Sequence, residues 1–556
     1  MSVVLIITAF AGVADLADGV TASGARLSGR ATCEEAACDV VLEWGPCALS
    51  GVELVCTYQD RMRWDGVAGA MEIAHQADGL EPGRRYRFRV CGKPAGRPDE
   101  ELVCGAERDF DTGVDRGAPP SPRVRAGSIA RAGSLSHAQG SHPGRDVGAA
   151  IELGGRLLWF FGDTALTVTA ADGSNWRTST AAHGPTGPLE GDYPPLDDAA
   201  APSEHLDGNG APAQFVPYTA AEPELVDAGG ETLHYYHWPI YGFTRAAGGG
   251  EEALVFFSRG VFFGDAPSAT YVDIVRDGGV QTSGAADRRL LWNPAVAEVD
   301  RYFPIDVEES GFRYFVAGKR SNGGYTSRLF LARVPPEEAT DPAAYRYWNP
   351  ATGEWQAEQV SPPCGPDACT AEGIIEVSAF ADYHTSISWN PYLEKYLLVA
   401  GNGLGAALHV ADALTGPWSA GTVLPATDDG AYGFLTPTAT QGLPNYHARE
   451  TVQLRSADGR TVVLSYLHAV DEGPGDRAVK LFRLTMERPA GDGEGDGEDG
   501  EDDAPGDDED DLVAGCGCGA SASGGGLPAA LALALMAIGF ARGSAPAAAR
   551  AARRPR

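Results

Sequence analysis

From residue 130 to residue 487 the chain repeats one pattern: a short apolar run, a turn bearing Gly, Pro, Asn or Asp, then another apolar run. Runs of this length and composition predict strands. They fall at Ala149–Leu153, Leu157–Phe161, Thr232–Trp238, Ala253–Phe257, Tyr314–Ala317, Ser327–Ala332, Thr385–Trp389, Tyr396–Ala400, Thr461–Leu467 and Val479–Leu484. No long stripe at helical spacing interrupts them. Trp-Asn-Pro recurs at Trp292, Trp348 and Trp389, each where a strand should meet a turn, and WFFGDT at Trp159–Thr164 is echoed by VFFGDA at Val261–Ala266. Irregular recurrence of strand-turn units over such a length predicts a β-propeller, and blades of ~40–70 residues make five the best fit. Two stacked sandwiches are the alternative.

A different pattern precedes it. In residues 18–113, Asp39–Trp44 reads as a strand, and Leu80-Glu81-Pro82-Gly83-Arg84-Arg85-Tyr86 leads into a second strand, Tyr86–Cys91. A Leu, a Pro-Gly turn and a Tyr at this spacing make the tyrosine corner of sandwich folds. The segment resembles a fibronectin type III domain, with Trp44 and Tyr86 in core roles. The resemblance implies a spacer or adhesion module without catalysis. Residues 114–129, rich in Pro, Arg and Gly, read as a linker to a propeller at 130–487. The expected fold is thus all-β, an N-terminal β-sandwich followed by a five-bladed β-propeller.

Charge and cysteines say where such a chain works. The net charge is −33. Residues 491–511 hold 13 acids and no base, and residues 512–556 hold five Arg and no acid, which leaves −25 for residues 1–490. So acidic a body argues against nucleic acid as a partner, because phosphates need a Lys/Arg surface. Cys33, Cys38, Cys47, Cys56, Cys91 and Cys104 cluster near the start, and Cys364 and Cys369 form a close pair. An even number in clusters predicts a disulfide framework and an oxidising compartment. A zinc site is the weaker reading, since there is no repeated C-x-x-C and His75 is the only nearby histidine.

The ends agree with export. Residues 1–17 contain a short apolar run, 3–14, that reads as a signal-like segment without a basic start; a buried first strand is the alternative. At 514–556, Cys516-Gly517-Cys518, a Gly/Ser stretch, the apolar run Leu527–Ala541 and terminal arginines follow in order. This tail resembles the MYXO-CTERM sorting tail of myxobacterial surface proteins. The resemblance implies cleavage near the cysteines and attachment to the outer cell surface or membrane, by lipid on Cys516 or Cys518. Residues 488–513 would then be an acidic, self-repelling stalk.

The candidate chemistry lies in Gly144–Thr164 (GRDVGAAIELGGRLLWFFGDT). A two-residue Gly154-Gly155 turn fixes a hairpin register in which Leu153 meets Arg156. Continued without a bulge, that register sets Asp146 opposite Asp163, with Cβ atoms ~4.5–5.5 Å apart. Like charges so placed cost energy, and a carboxylate pair kept despite that cost is a candidate acid/base pair. A bulge at Gly162, or Asp163 acting only as a turn cap, is the competing reading.

Arg145-Asp146 and Phe161-Gly162-Asp163-Thr164 also resemble the start of a bacterial secreted five-bladed propeller family long catalogued as a domain of unknown function. That family is related to sialidase-like and arabinanase-like glycosidases and includes endo-D-arabinofuranases. Asn175–Ala182, Gln214–Glu222, Leu329–Tyr347, His384–Leu398 and Gly416–Ser419 carry the resemblance along the chain. It implies glycoside hydrolysis of a polysaccharide, with Asp146 and Asp163 at the central channel; Glu222, in a matching stretch, is a candidate further acid or a loop-capping carboxylate. Carboxyl separation would set stereochemistry, ~5 Å for retention and ~6.5–9.5 Å for inversion, and it stays open here. Arg145, Trp176, Arg177, His384, His447 and Arg449 are candidate substrate contacts, because sugar sites combine aromatic faces with charged hydrogen bonders. No metal ligand set or cofactor fingerprint is visible, though an acidic channel leaves room for a structural calcium. A non-catalytic propeller binding glycan or protein at the surface is the alternative function.

Overall fold

The apolar runs are continuous because each sheet is buried on both faces. Leu157, Trp159 and Phe161 pack toward one neighbouring sheet with Val463, Leu467 and Val479. The intervening Leu158 and Phe160 pack toward the other with Tyr241, Val255 and Phe257. Alternate residues of a strand point to opposite faces, so a strand between two sheets must be apolar at every position. The same division recurs at three more interfaces. Five sheets and five shared cores close a ring.

This computed structural model describes residues from Phe10 to Arg488, apart from single residues and short stretches, the longest being 136–143, 194–203, 293–301, 360–374 and 425–445. Among the described residues the helical content is limited to short 3-10 turns. The fold is all-β, and the five sheets are the blades of a propeller. Their inner strands are Gly144–Leu153, Tyr235–Ala247, Phe303–Glu309, Ser386–Asn390 and Tyr446–Glu450. Each inner strand touches the next, and the fifth touches the first. The third and fourth meet at a parallel bridge, Asp306 to Ser388.

Eight of the ten strands expected from the apolar runs lie within observed strands; Thr385–Trp389 starts one residue before the strand Ser386–Asn390, and Thr232–Trp238 spans two strands, Thr232–Leu233 and Tyr235–Ala247. The fifth blade holds a difference. Arg123–Ser134, which falls largely in the stretch read as a linker, is its outer strand and pairs with Arg477–Glu487. The last blade is thereby stitched from both ends of the ring. Val124 and Ala132 are buried there, but intervening Arg and Gly residues hide the alternation in the sequence.

The N-terminal sheet folds over on itself into a sandwich. Two long strands, Gly24–Ser50 and Asp60–Asp78, run together along most of their length. Gly24–Ser50 pairs on its other edge first with Phe10–Ala14 and later with Arg85–Pro94. Leu27, Val40, Leu42, Trp44, Ile73, Tyr86, Phe88 and Phe110 fill one core between the halves. The Tyr86 hydroxyl accepts from the Glu81 N–H at 2.9 Å, which is the corner the spacing predicts. Phe10–Ala14, from the signal-like segment, is an edge strand of this sheet, and Ala14 is buried in its core.

The six clustered cysteines form three disulfides, Cys33–Cys38, Cys47–Cys56 and Cys91–Cys104. Among the described residues, the one group with metal-ligand spacing is Glu43, Cys91 and Cys104, and its two sulfurs are already bonded to each other. Cys364, Cys369, the stalk, the tail, Cys516 and Cys518 lie outside the described residues. The N-terminal sheet meets the fourth blade at Ala420, which joins the sandwich core, and the Thr422 hydroxyl donates to the Pro122 carbonyl at 2.6 Å.

Candidate functional site at the channel mouth

A blade of four antiparallel strands ends on the side where it began. The starts of the inner strands and the ends of the second strands therefore share one face of the ring. Asp146 stands near the start of the first inner strand, Asp163 near the end of the next strand, and Trp238 near the start of the second blade's inner strand.

The hairpin register differs from the regular one. Residues pair as expected from Leu153/Arg156 to Ala149/Phe160, slip by one where Phe161 meets Val147, and return to the expected register where Thr164 meets Arg145. Asp146 therefore faces the Gly162-Asp163 pair rather than forming a rung with Asp163. The cause is local. Val147 and Gly148 adopt positive φ, 65° and 126°. At Gly148 a Cβ would sit 2.3 Å from Val479 Cγ1 of the fifth blade, so only glycine fits. The 4.5–5.5 Å separation expected of a regular rung does not carry over to this bulge.

The indole of Trp238 reaches Asp163. Its Nε1 donates to Asp163 Oδ1 at 2.8 Å. A Cβ at Gly162 would lie 3.6 Å from Asp146 Cβ and 3.7 Å from Trp238 Cδ1. Trp176, 40% exposed, brings a second indole N–H to Asp163 Oδ1 at the longer distance of 3.4 Å. Tyr218, 46% exposed, is bonded to Thr178 Oγ1 and donates to the Tyr235 carbonyl. Burial first, then the charges of Asp163 and Glu222, push its hydroxyl upward. The mouth thus joins carboxylates to exposed aromatic faces.

Glu222 sits behind it as a latch. It accepts from the Thr219 N–H at 2.7 Å, from Arg259 Nε at 2.6 Å and lies 3.0 Å from His237 Nε2. Burial works against its charge, but the His237 and Arg259 bonds and the Thr219 N–H prevail and hold its carboxyl at about 2. A carboxylate so held is ionised at any working pH and serves poorly as a proton donor.

The arginines expected to touch substrate are engaged elsewhere. Arg145 is buried, bonded to Glu204 at 2.7 Å and lies over the Phe161 ring. Arg177 is buried, bonded to Asp172, and close to Asp207. Arg449 lies deeper in the channel. It stacks on Tyr241 and donates to the Ile240 carbonyl at 2.8 Å, tying the fifth blade to the second. These guanidinium groups pin loops and blades, and Trp176 is the expected contact with an open face. His384 and the side chain of His447 lie outside the described residues.

Mid-channel, the Tyr241 hydroxyl donates to Asp306 at 2.6 Å, and Ser388 donates to Glu450 at 2.5 Å. Desolvation raises both carboxyls, Asp306 and Glu450. Sequence reading missed Trp238, Tyr218, Asp306 and Glu450. Trp238 closes a predicted strand, but its partner is 75 residues away, and only blade adjacency brings them together.

No family model matches the chain, and no curated protein does. Among solved structures, it is similar to an α-L-arabinofuranosidase of Podospora anserina, with TM-score 0.30 and 10% identity over 65% of this chain and 95% of that one. It is similar to a family 117 glycoside hydrolase of Zobellia galactanivorans, with TM-score 0.31 and 12% identity over 64% and 89%. An N-acetylgalactosamine deacetylase of F. plautii gives TM-score 0.31 and 9% identity over 66% and 95%. At these TM-scores none of the likenesses bears on activity.

Proposed function

We propose that the chain is a glycoside hydrolase acting on a bacterial polysaccharide, of the endo-arabinofuranase kind that the motif resemblance implies. The observation that carries this reading is the channel mouth, where two Asp side chains on one bulged hairpin stand beside exposed Trp176 and Tyr218. In this reading Asp163, which receives indole N–H bonds, works as the ionised carboxylate, nucleophile or base. Asp146 delivers the proton to the leaving oxygen. The aromatic faces hold the sugar rings. The cysteine-rich first domain, of fibronectin type III kind, is a spacer. The MYXO-CTERM-like tail anchors the exported protein at the cell surface through Cys516 or Cys518.

The test is reducing-sugar release from a panel of bacterial polysaccharides, arabinan and arabinogalactan included, by wild type, Asp146→Asn and Asp163→Asn. Release by wild type with loss in both variants is expected. Equal release by all three removes the assigned roles, and no release on any glycan removes the hydrolase. Tight binding without cleavage on a glycan array would favour the lectin-like alternative, for which the open faces of Trp176 and Tyr218 suffice. Mass spectrometry of the mature C-terminus checks the anchor, and an intact Arg556 would exclude processing.

A further inference from the structure

We infer that Trp238 is a positioning residue for the mouth carboxylates, fixing the orientation and the ionised state of Asp163 through its indole N–H. The inference rests on the hydrolase reading for its catalytic meaning. Its physical basis is separate. Trp238 comes from the second blade and Asp163 from the first, and the bond between them is 2.8 Å. The indole is itself held: it stacks on Tyr236, ring centroids 3.9 Å apart and 19° from parallel, and packs against the core between the second and third blades. The indole also lies against the bulged hairpin, where a Cβ at Gly162 would sit 3.7 Å from Trp238 Cδ1. The competing donor, Trp176, is exposed and longer at 3.4 Å. A rigid donor from a neighbouring blade stabilises negative charge on the carboxylate.

Trp238→Phe keeps the ring and removes the donor. A lost hydrogen bond to a charged group predicts a fall in kcat of about 10- to 100-fold. KM should stay within about twofold, and the acid limb of the pH profile should move to higher pH. A merely structural Trp238 would lower thermal stability without moving the acid limb. Wild-type kcat and an unmoved limb in the variant overturn the inference. A second readout needs no activity: the ¹³C titration of the Asp163 carboxyl should move to higher pH in Trp238→Phe, and an unmoved titration overturns the inference even if no glycan is cut. A moved titration beside a wild type inert on all glycans sinks the hydrolase and leaves Trp238 as the group that sets the charge of Asp163. Should the variant not fold, Asp163→Ala, which removes the acceptor, reads the same bond from the other side. The indole proton of Trp238 should lose its downfield shift and exchange faster with solvent, and an unchanged resonance overturns the inference.

Discussion

The ring holds two sets of acidic side chains around its axis, and they differ in what surrounds them. At the mouth, Asp146 and Asp163 are half-buried, lie on a bulged hairpin and stand beside exposed aromatic faces. In mid-channel, Asp306 is half-buried and Glu450 is buried; they are bonded to Tyr241 and Ser388, and desolvation raises both. The difference teaches that the neighbours of a carboxylate decide what it can do. Beside exposed aromatic rings it is open to chemistry, and bonded between blades it is part of the packing. The largest effect should separate the two sets. Asp163→Asn should lower turnover by about 10²- to 10⁴-fold, the usual worth of a positioned acid or base, with the melting transition nearly unmoved. Turnover and calorimetry on the same preparation check it.

The mirror image applies to the channel. Arg449 stacks on Tyr241, and its charge, with that of Arg313, opposes the desolvation of Asp306. Arg449→Met removes the cation and its hydrogen bond to the Ile240 carbonyl. Losing a hydrogen bond from a charged group costs about 1.5–3 kcal/mol. Stability measured in urea should fall by that order, while turnover per folded molecule stays close to wild type. A large loss of turnover at unchanged stability would move Arg449 to the mouth set and erase the distinction.

Which of this could be read from the chain follows from the range of each interaction. The strands were legible because a blade buried on both faces needs unbroken apolar runs such as Leu157–Phe161. The hairpin was legible from Gly154-Gly155. Its register at Asp146 was not, because the slip is imposed by Val479, more than 300 residues away, closing on Gly148. The arginines misled for a related reason. Arg145 reads as a free charge until Glu204, 59 residues on, folds against it. The outer strand Arg123–Ser134 was hidden because its partner lies at the other end of the ring.

Acid should act on the molecule with two signs. The Glu222 carboxyl sits at about 2 in the folded chain, below its ordinary 4.5. Its contribution is fully present above the ordinary value and is lost as pH falls toward 2. The raised groups, Asp306 and Glu450, behave the other way. Their contribution is full below the ordinary carboxylate value and is lost as pH rises through their folded values. Glu222→Gln should therefore cost up to about 3 kcal/mol at neutral pH and less as pH drops from 4.5 to 3. Urea titrations of wild type and variant across pH 3–7 give the difference. A pH-independent difference would mean that Glu222 acts by packing alone.

The smallest change bears on the boundary between the two sets. Gly162 has no positive φ, so its lack of a side chain is a matter of space. In Gly162→Ala the new methyl would meet Val147 Cγ2 at 3.0 Å, Asp146 Cβ at 3.6 Å and Trp238 Cδ1 at 3.7 Å. The first contact is tight and the others are ordinary, so Val147 must give by a few tenths of an ångström. Overpacking of this size costs about 1 kcal/mol. Because Val147 belongs to the bulge that carries Asp146, the displacement falls on the mouth and leaves the channel untouched. A fewfold loss of turnover, with the stability of an Arg449→Met background lowered by the same increment as wild type, is the expected pattern. Non-additive stability would show the mouth and the channel to be one coupled unit.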